Sequence, residues 1–266
     1  MSGRTRLGVL GWPVGHSRSP QMQNAALRQA GLQDWHYQLL PVPPELLEGT
    51  VRALGDLGFR GANVTVPHKE AALALADRPT GGATAIGAAN TLLFEPDGAI
   101  VADNTDAPAL ITALPFSPQG RTAQVLGAGG SARAVVWALL DAGAGQVGVW
   151  NRTPERATRL TRELGGSPVG QPVGADLLVN CTTIGLQGGG GLKELPLGTD
   201  AFARYACVVD LVYAQTETPL ISAARRAGAS VVDGLELLVA QGALSFELFT
   251  GRPAPLPTMR AAVREP

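Results

Sequence analysis

The chain has 266 residues, of which 45% are hydrophobic and only 16% charged, with 21 basic against 22 acidic residues and a net charge of −1. That balance supports a packed core, excludes disorder, and lacks the basic footprint of a nucleic-acid binder. The length suits one large domain or two modest ones.

In chain order, residues 7–10 are an apolar run ending at Gly11 and predict a strand. Ser19 followed by Pro20 predicts an N-cap and a proline at the first helical position, opening a helix that reaches Ala30, with Gly31 at its C′ position. Residues 36–40 predict a second strand. Residues 44–57 predict a helix with Leu46, Leu47, Val51 and Leu54 on one apolar face. Residues 62–66 predict a third strand, and Pro67 opens a third helix through Ala76. Runs at 91–94 and 99–102 flank Glu95-Pro96-Asp97-Gly98 as a hairpin.

A helix over 107–114 leads to a polar stretch at 116–120 that reads as a domain boundary. A second series comes after it, with strands at 123–126, 147–150, 176–179, 207–212 and 231–232. Its helices fall at 131–141, 154–164 and 218–227, and a last, long helix at 234–249 is too apolar to be a tail. Alternating strands and helices imply parallel sheets with helices on their faces. The N-terminus has no apolar stretch of signal-peptide length and no run of about 18 apolar residues occurs, so a soluble cytoplasmic chain with no membrane partner is expected. Cys181 and Cys207 lie in apolar stretches and are expected as reduced, packed thiols rather than a disulfide. No Cys/His cluster suggests a metal, and His16, His36 and His68 show no ligand pattern.

Three motifs carry chemistry. Val125-Leu126-Gly127-Ala128-Gly129-Gly130-Ser131-Ala132 is a strand, a glycine turn and a helix start, the arrangement that brings backbone N–H groups to a pyrophosphate. Ala132 stands where the fingerprint has its third glycine. At the end of the next strand, where an NAD site places an acid, stands Asn151-Arg152-Thr153, with Arg156 one turn on. A guanidinium and a hydroxyl suit a 2′-phosphate, so the expected cofactor is NADP(H).

The other two are Gly61-Ala62-Asn63-Val64-Thr65-Val66-Pro67-His68-Lys69 and Asp103-Asn104-Thr105-Asp106. Asn63 and Thr65 share a strand face, and Lys69 sits one turn into the following helix. A lysine beside a carboxylate, next to a nicotinamide, is a proton-transfer pair next to a hydride carrier. Ser17 and Ser19, in the turn before the first helix, add two hydroxyls suited to a small carboxylate. Asn90-Thr91 adds an amide and a hydroxyl, and Gln241 interrupts the last apolar helix.

Together these motifs resemble the shikimate/quinate dehydrogenase family. The match starts at Gly11-Trp12-Pro13-Val14-Gly15-His16-Ser17-Arg18-Ser19-Pro20 with Asn24, and runs through the three motifs and Gly87-Ala88-Ala89-Asn90-Thr91. It ends with Asp210-Leu211-Val212-Tyr213 and Gln241-Gly242-Ala243. The resemblance implies an α/β fold of two domains, an N-terminal substrate domain and a Rossmann-like NADP-binding domain, with a cleft between. It divides the chain into 1–106, 107–233 and a C-terminal helical return at 234–266. It implies reversible NADPH-dependent reduction of 3-dehydroshikimate to shikimate, on the route to chorismate and the aromatic amino acids.

By the family pattern, Lys69 and Asp106 are the catalytic pair. Ser17 and Ser19 hold the substrate carboxylate, and Thr65, Asn90, Tyr213 and Gln241 contact its carboxylate or hydroxyls. Gly127, Ala128, Gly129, Gly130, Ser131, Asn151, Arg152, Thr153, Arg156, Leu211 and Gly234 line the cofactor. Departures from the pattern include Ala107-Pro108 after Asp106, Gly81 in place of an acid, and a glycine-rich loop at 187–191 expected to be mobile. Turnover of quinate, or a dinucleotide-sensing module without chemistry, are the alternatives. Nothing marks a dimer interface, and monomer and homodimer both suit the architecture.

Overall fold

The computed structural model describes residues 4–186, 191–198, 201–214 and 216–265, so the glycine-rich loop lies outside the described residues apart from Gly191. The chain divides into two compact units. The first comprises residues 1–106 and 238–266, the second 107–237. The division falls at Asp106/Ala107, ahead of the polar stretch at 116–120, because the helix that begins at Asp106 belongs with the second unit. The second crossing falls inside the long helix, after Leu237.

The first unit holds a six-stranded mixed sheet ordered β2-β1-β3-β5-β6-β4. Its strands are β1 (Thr5–Gly11), β2 (Trp35–Pro41), β3 (Phe59–Val64), β4 (Arg78–Pro79), β5 (Thr91–Phe94) and β6 (Ile100–Asp103). β1 pairs in parallel with β2 and β3, whereas β5 is antiparallel to both β3 and β6. The expected hairpin is present, so this sheet is not wholly parallel. Helices α1 (Ser19–Gln29), α2 (Leu47–Leu54), α3 (Lys69–Ala74) and α4 (Gly81–Ile86) connect the strands. The core beside α2 is built from Leu10, Leu47, Val51, Leu54, Phe59, Val64, Leu92 and Ile100. Leu46, expected on that buried face, is 58% exposed because residues Pro44–Leu46 form a separate 3-10 turn.

Ser19 is the first residue of α1 rather than its cap. Arg18 takes the cap position without a side-chain cap bond, and Pro20 and Gly31 (φ 73°) fall as expected. Lys69 likewise opens α3 instead of lying one turn inside it, since Pro67 and His68 stay outside the helix.

The second unit contains α5 (Asp106–Ala113) after its first residue, and a parallel sheet ordered β12-β11-β10-β7-β8-β9. The strands are β7 (Thr122–Leu126), β8 (Gln146–Trp150), β9 (Ser167–Pro168), β10 (Ala175–Asn180), β11 (Tyr205–Asp210) and β12 (Ser230–Val232). The helices are α6 (Gly130–Asp141), α7 (Pro154–Leu164) and α8 (Pro219–Arg226). Numbered within the unit, the strands run 3-2-1-4-5-6, the doubly wound dinucleotide order. α9 (Gly234–Thr250) starts here and continues into the first unit, which α10 (Leu256–Arg264) completes by packing on α1. Neither Cys181 nor Cys207 is in a disulfide, and burial pushes the Cys207 thiol up to about 11. No helix among the described residues is long and apolar enough to cross a membrane.

Candidate active site

Sheet register assembles the first unit's polar residues. Asn63 at the end of β3 pairs with Thr91 of β5, and Thr91 pairs with Asp103 of β6. The loops leaving at that edge therefore carry Thr65–Lys69, Asn90 and Asn104–Asp106 side by side. The loop after β1 joins them, because the Thr65 N–H donates to the Leu10 carbonyl (2.8 Å) and the Trp12 N–H to the Val66 carbonyl (3.0 Å). Gly11 is required there, since a Cβ would lie 2.5 Å from the Thr65 methyl. That same loop bears Ser17, whose hydroxyl accepts from the Ser19 N–H at 3.3 Å.

Lys69 Nζ lies 2.5 Å from Asp106 Oδ2, with side chains 10% and 15% exposed. A nearly buried ion pair gains little over apolar packing, so stability does not account for it. His68 fixes the start of α3 by donating from Nε2 to the Val42 carbonyl at 2.7 Å, a structural role. Asp106 begins α5, where the helix dipole favours its charge, and its N–H donates to Asn104 Oδ1 at 3.1 Å. Asn90 Nδ2 donates to Asp106 Oδ1 at 2.8 Å and lies 3.5 Å from Gln241 Oε1. The predicted residues Lys69, Asp106, Asn90 and Gln241 thus meet in one place, with Thr65 and Ser17 on adjoining loops. Tyr213 belongs to the second unit, in the loop after β11.

Beneath this pair lies a polar cluster that joins Asn63 to Tyr37 and Ser245, two residues the sequence did not single out. Asn63 is 6% exposed and Ser245 of α9 fully buried. Asn63 Nδ2 donates to Ser245 Oγ (2.8 Å), and its Oδ1 accepts from the Tyr37 hydroxyl (2.8 Å). Asn63 therefore sits inside the network, and Thr65 lies beyond the end of β3. Asn24, part of the first motif, brackets the Tyr37 backbone with two hydrogen bonds and is structural.

In the second unit, Gly127 follows β7 directly at φ 108°, and a Cβ there would lie 3.0 Å from the Cys181 backbone just past β10. That is the crevice where strand order reverses. Gly129 caps α6 in an extended conformation with open space beside it, leaving room for a phosphate at the helix N-terminus. Ala132 is fully buried against the sheet, fulfilling the third-glycine role. Past β8, Asn151 Nδ2 donates to the Thr153 carbonyl at 2.9 Å, shaping the turn that carries the exposed Arg152 and leads into α7, where Arg156 is also exposed. Gly234 packs on the β11 loop, where a Cβ would come 2.5 Å from the Val212 carbonyl and 2.9 Å from that of Leu211. The residues present fit an NADP-type dinucleotide: a glycine turn, an open helix start and unburied guanidinium groups.

Asp210 is a structural knot. Its carboxylate accepts from Asn180 Nδ2 (2.9 Å), the Val212 N–H (3.1 Å) and the Thr218 hydroxyl (2.7 Å). Burial pushes its carboxyl above the usual range while these donors pull it back. Among the described residues no group of three His, Cys, Asp or Glu side chains could hold a metal ion.

A family model for the shikimate dehydrogenase substrate-binding domain matches residues 9–92. One for shikimate/quinate 5-dehydrogenase matches 113–173, and one for the shikimate 5′-dehydrogenase C-terminal domain matches 234–264. A shikimate dehydrogenase (NADP(+)) from Paracoccus denitrificans is 44% identical over 96% of this chain and 94% of its own length. The crystal structure of shikimate 5-dehydrogenase from Thermus thermophilus, in complex with NADP(H) and shikimate, is 41% identical. It superposes with a TM-score of 0.87, covering 98% of each chain. The Aquifex aeolicus shikimate dehydrogenase gives a TM-score of 0.90 at 35% identity, also over 98% of each chain. Likeness of this degree along nearly the whole length, in sequence and in fold, places the chain in the shikimate dehydrogenase family.

Proposed function

We propose that the chain catalyses the reversible NADPH-dependent reduction of 3-dehydroshikimate to shikimate, a cytoplasmic step toward chorismate and the aromatic amino acids. The observation that carries the reading is the Lys69–Asp106 pair, 2.5 Å apart and nearly buried. Its support includes the relatives that carry this activity in their names and the relative crystallised with NADP(H) and shikimate.

The glycine turn with Asn151, Arg152, Thr153 and Arg156 would hold the cofactor, which when bound would supply a hydride for the C3 carbonyl carbon. Lys69, as ammonium, donates its proton to the oxygen that becomes the C3 hydroxyl. In the reverse direction the neutral amine takes that proton back. Asp106 holds the amine and the C3 oxygen in line, and Asn90 holds Asp106. The hydroxyls of Ser17 and Ser19 bind the substrate carboxylate, Thr65 and Gln241 contact its carboxylate or ring hydroxyls, and Asn90, whose amide protons go to Asp106 and Thr105, acts through Asp106.

Positioned proton transfer contributes about 10²–10⁴-fold to such reactions. Lys69→Ala is therefore expected to lower kcat by at least about 10²-fold. NADPH affinity should be unchanged, because every residue assigned to the cofactor lies in the other unit. Steady-state kinetics alongside a fluorescence titration of NADPH checks this. A variant with the turnover of the native enzyme would sink the assignment.

A further inference from the structure

We infer that Ser245 and Thr105 are positioning residues, whose buried hydroxyls set the Asn90 amide so that it presents an N–H to Asp106. The inference rests on the proposed shikimate reaction. It follows from which atoms can donate. The Thr105 backbone N–H lies 2.8 Å from one side-chain atom of Asn90, and an N–H can only donate, so that atom is the carbonyl Oδ1. Nδ2 then faces the other way, with its two protons directed at Asp106 Oδ1 (2.8 Å) and Thr105 Oγ1 (2.9 Å).

Ser245 closes the pattern. Its hydroxyl donates to the Gln241 carbonyl at 3.0 Å, and a carbonyl can only accept, so the single Ser245 proton is committed. Its two lone pairs then accept from Asn63 Nδ2 (2.8 Å) and Thr105 Oγ1 (3.2 Å), and the Thr91 hydroxyl, 3.1 Å from Ser245 Oγ, turns its one proton elsewhere. Thr105 receives from Asn90 Nδ2; Asn90 Oδ1, also 3.2 Å from Thr105 Oγ1, already accepts from the Thr105 N–H and the Thr91 hydroxyl, so Thr105 gives its own proton to Ser245. Thr91 can then donate to Asn90 Oδ1 at 3.0 Å. A directed chain results, from Asp106 through Asn90, Thr105 and Ser245 to the Gln241 main chain. Asn90, Thr91, Thr105 and Ser245 are all at most 3% exposed, so the chain is shielded from the solvent that would otherwise exchange for its members. One end holds Asp106 Oδ1 and leaves Oδ2 to Lys69; the other is tied to the turn of α9 that carries Gln241.

The test is a double-mutant cycle with one conservative rescue. Native enzyme, Thr105→Val, Thr105→Ser, Ser245→Ala and the Thr105→Val/Ser245→Ala double variant are compared for kcat with shikimate, NADPH affinity and Tm. Thr105→Val keeps the shape of threonine and removes only the hydroxyl. It should lower kcat about ten-fold, from loss of order in a charged hydrogen bond. NADPH affinity should not change, and Thr105→Ser should recover the turnover. Ser245→Ala should act in the same direction, and the double variant should lose no more than the worse single.

Native turnover in Thr105→Val, equal damage in Thr105→Ser, or losses that multiply in the double variant would each overturn the inference. Should Ser245→Ala not fold, the Thr105 pair decides alone. Absence of shikimate turnover in the native enzyme would instead defeat the proposed reaction. The hydroxyl chain would then be judged on Tm, where sub-additive losses support it and additive losses refute it.

Discussion

Lys69 is nearly buried and held by Asp106, and both residues stood out in the sequence because each ends a short polar motif following an apolar strand. Ser245 left no such mark. It is one hydroxyl in an apolar helix, and its partner Asn63 is 182 positions away along the chain. Local periodicity carries no information about a contact that only the assembled fold creates. Asn63 was legible as polar and functional in kind, but its place in a buried network was not. At the cofactor end, Arg152 was legible because a positive charge stands where an acid would exclude a 2′-phosphate. It is exposed, which suits a role in binding rather than folding. Arg152→Asp is expected to raise the KM for NADPH by at least about ten-fold, the value of one charge-assisted bidentate contact, while the KM for shikimate stays near its native value. Initial-rate kinetics with each substrate varied in turn distinguishes this from an equal rise in both, which would remove the phosphate assignment.

Long, periodic elements were legible, and several short ones were not. α7 and the start of α9 fall at the predicted positions, because Pro154 and Gly234 punctuate them clearly. α4 escaped notice because Gly81-Gly82 opens it, and α10 because Pro255 and Pro257 obscure a helix that they in fact begin. The two-residue strands β4 and β9 are too short to show alternation at all. Side-chain ties between strand ends were equally invisible. Asp176 on β10 accepts from the Thr122 N–H (2.9 Å) and hydroxyl (3.0 Å) on β7, and from Arg121 (3.1 Å). The Thr122 backbone and hydroxyl donors, helped by Arg121, hold its carboxyl below the usual carboxylate range against the opposing effect of burial. A depressed folded value stabilises the protein above the unfolded aspartate value of about 3.9, and that contribution is lost as pH falls through the folded value. Asp176→Asn should therefore lower Tm at about pH 7, and the gap to the native enzyme should narrow below about pH 4. A gap independent of pH would show that the charge is not what ties these strands.

At the scale of the molecule, alternation of strand and helix correctly gave two α/β units but overstated how parallel they are. In the second unit every strand pair is parallel, and the order reverses between β7 and β10, where the glycine turn sits. In the first, β5 runs antiparallel to its neighbours β3 and β6, while β1–β2, β1–β3 and β4–β6 pair in parallel. That reversal has a consequence for chemistry: it returns Asn104–Asp106 to the edge where β3 releases Lys69, which a wholly parallel sheet would not do with so short a connection. Whether this arrangement oxidises and reduces shikimate with NADP is tested most directly by absorbance at the reduced-nicotinamide band, with purified protein given shikimate or quinate and NADP or NAD in all four combinations. Cofactor reduction is expected with shikimate and NADP, and little or none in the other three. Equal turnover of quinate or of NAD would contradict the assigned specificity, and no reduction in any combination, from protein that still binds NADPH, would contradict the catalytic role of Lys69 and Asp106.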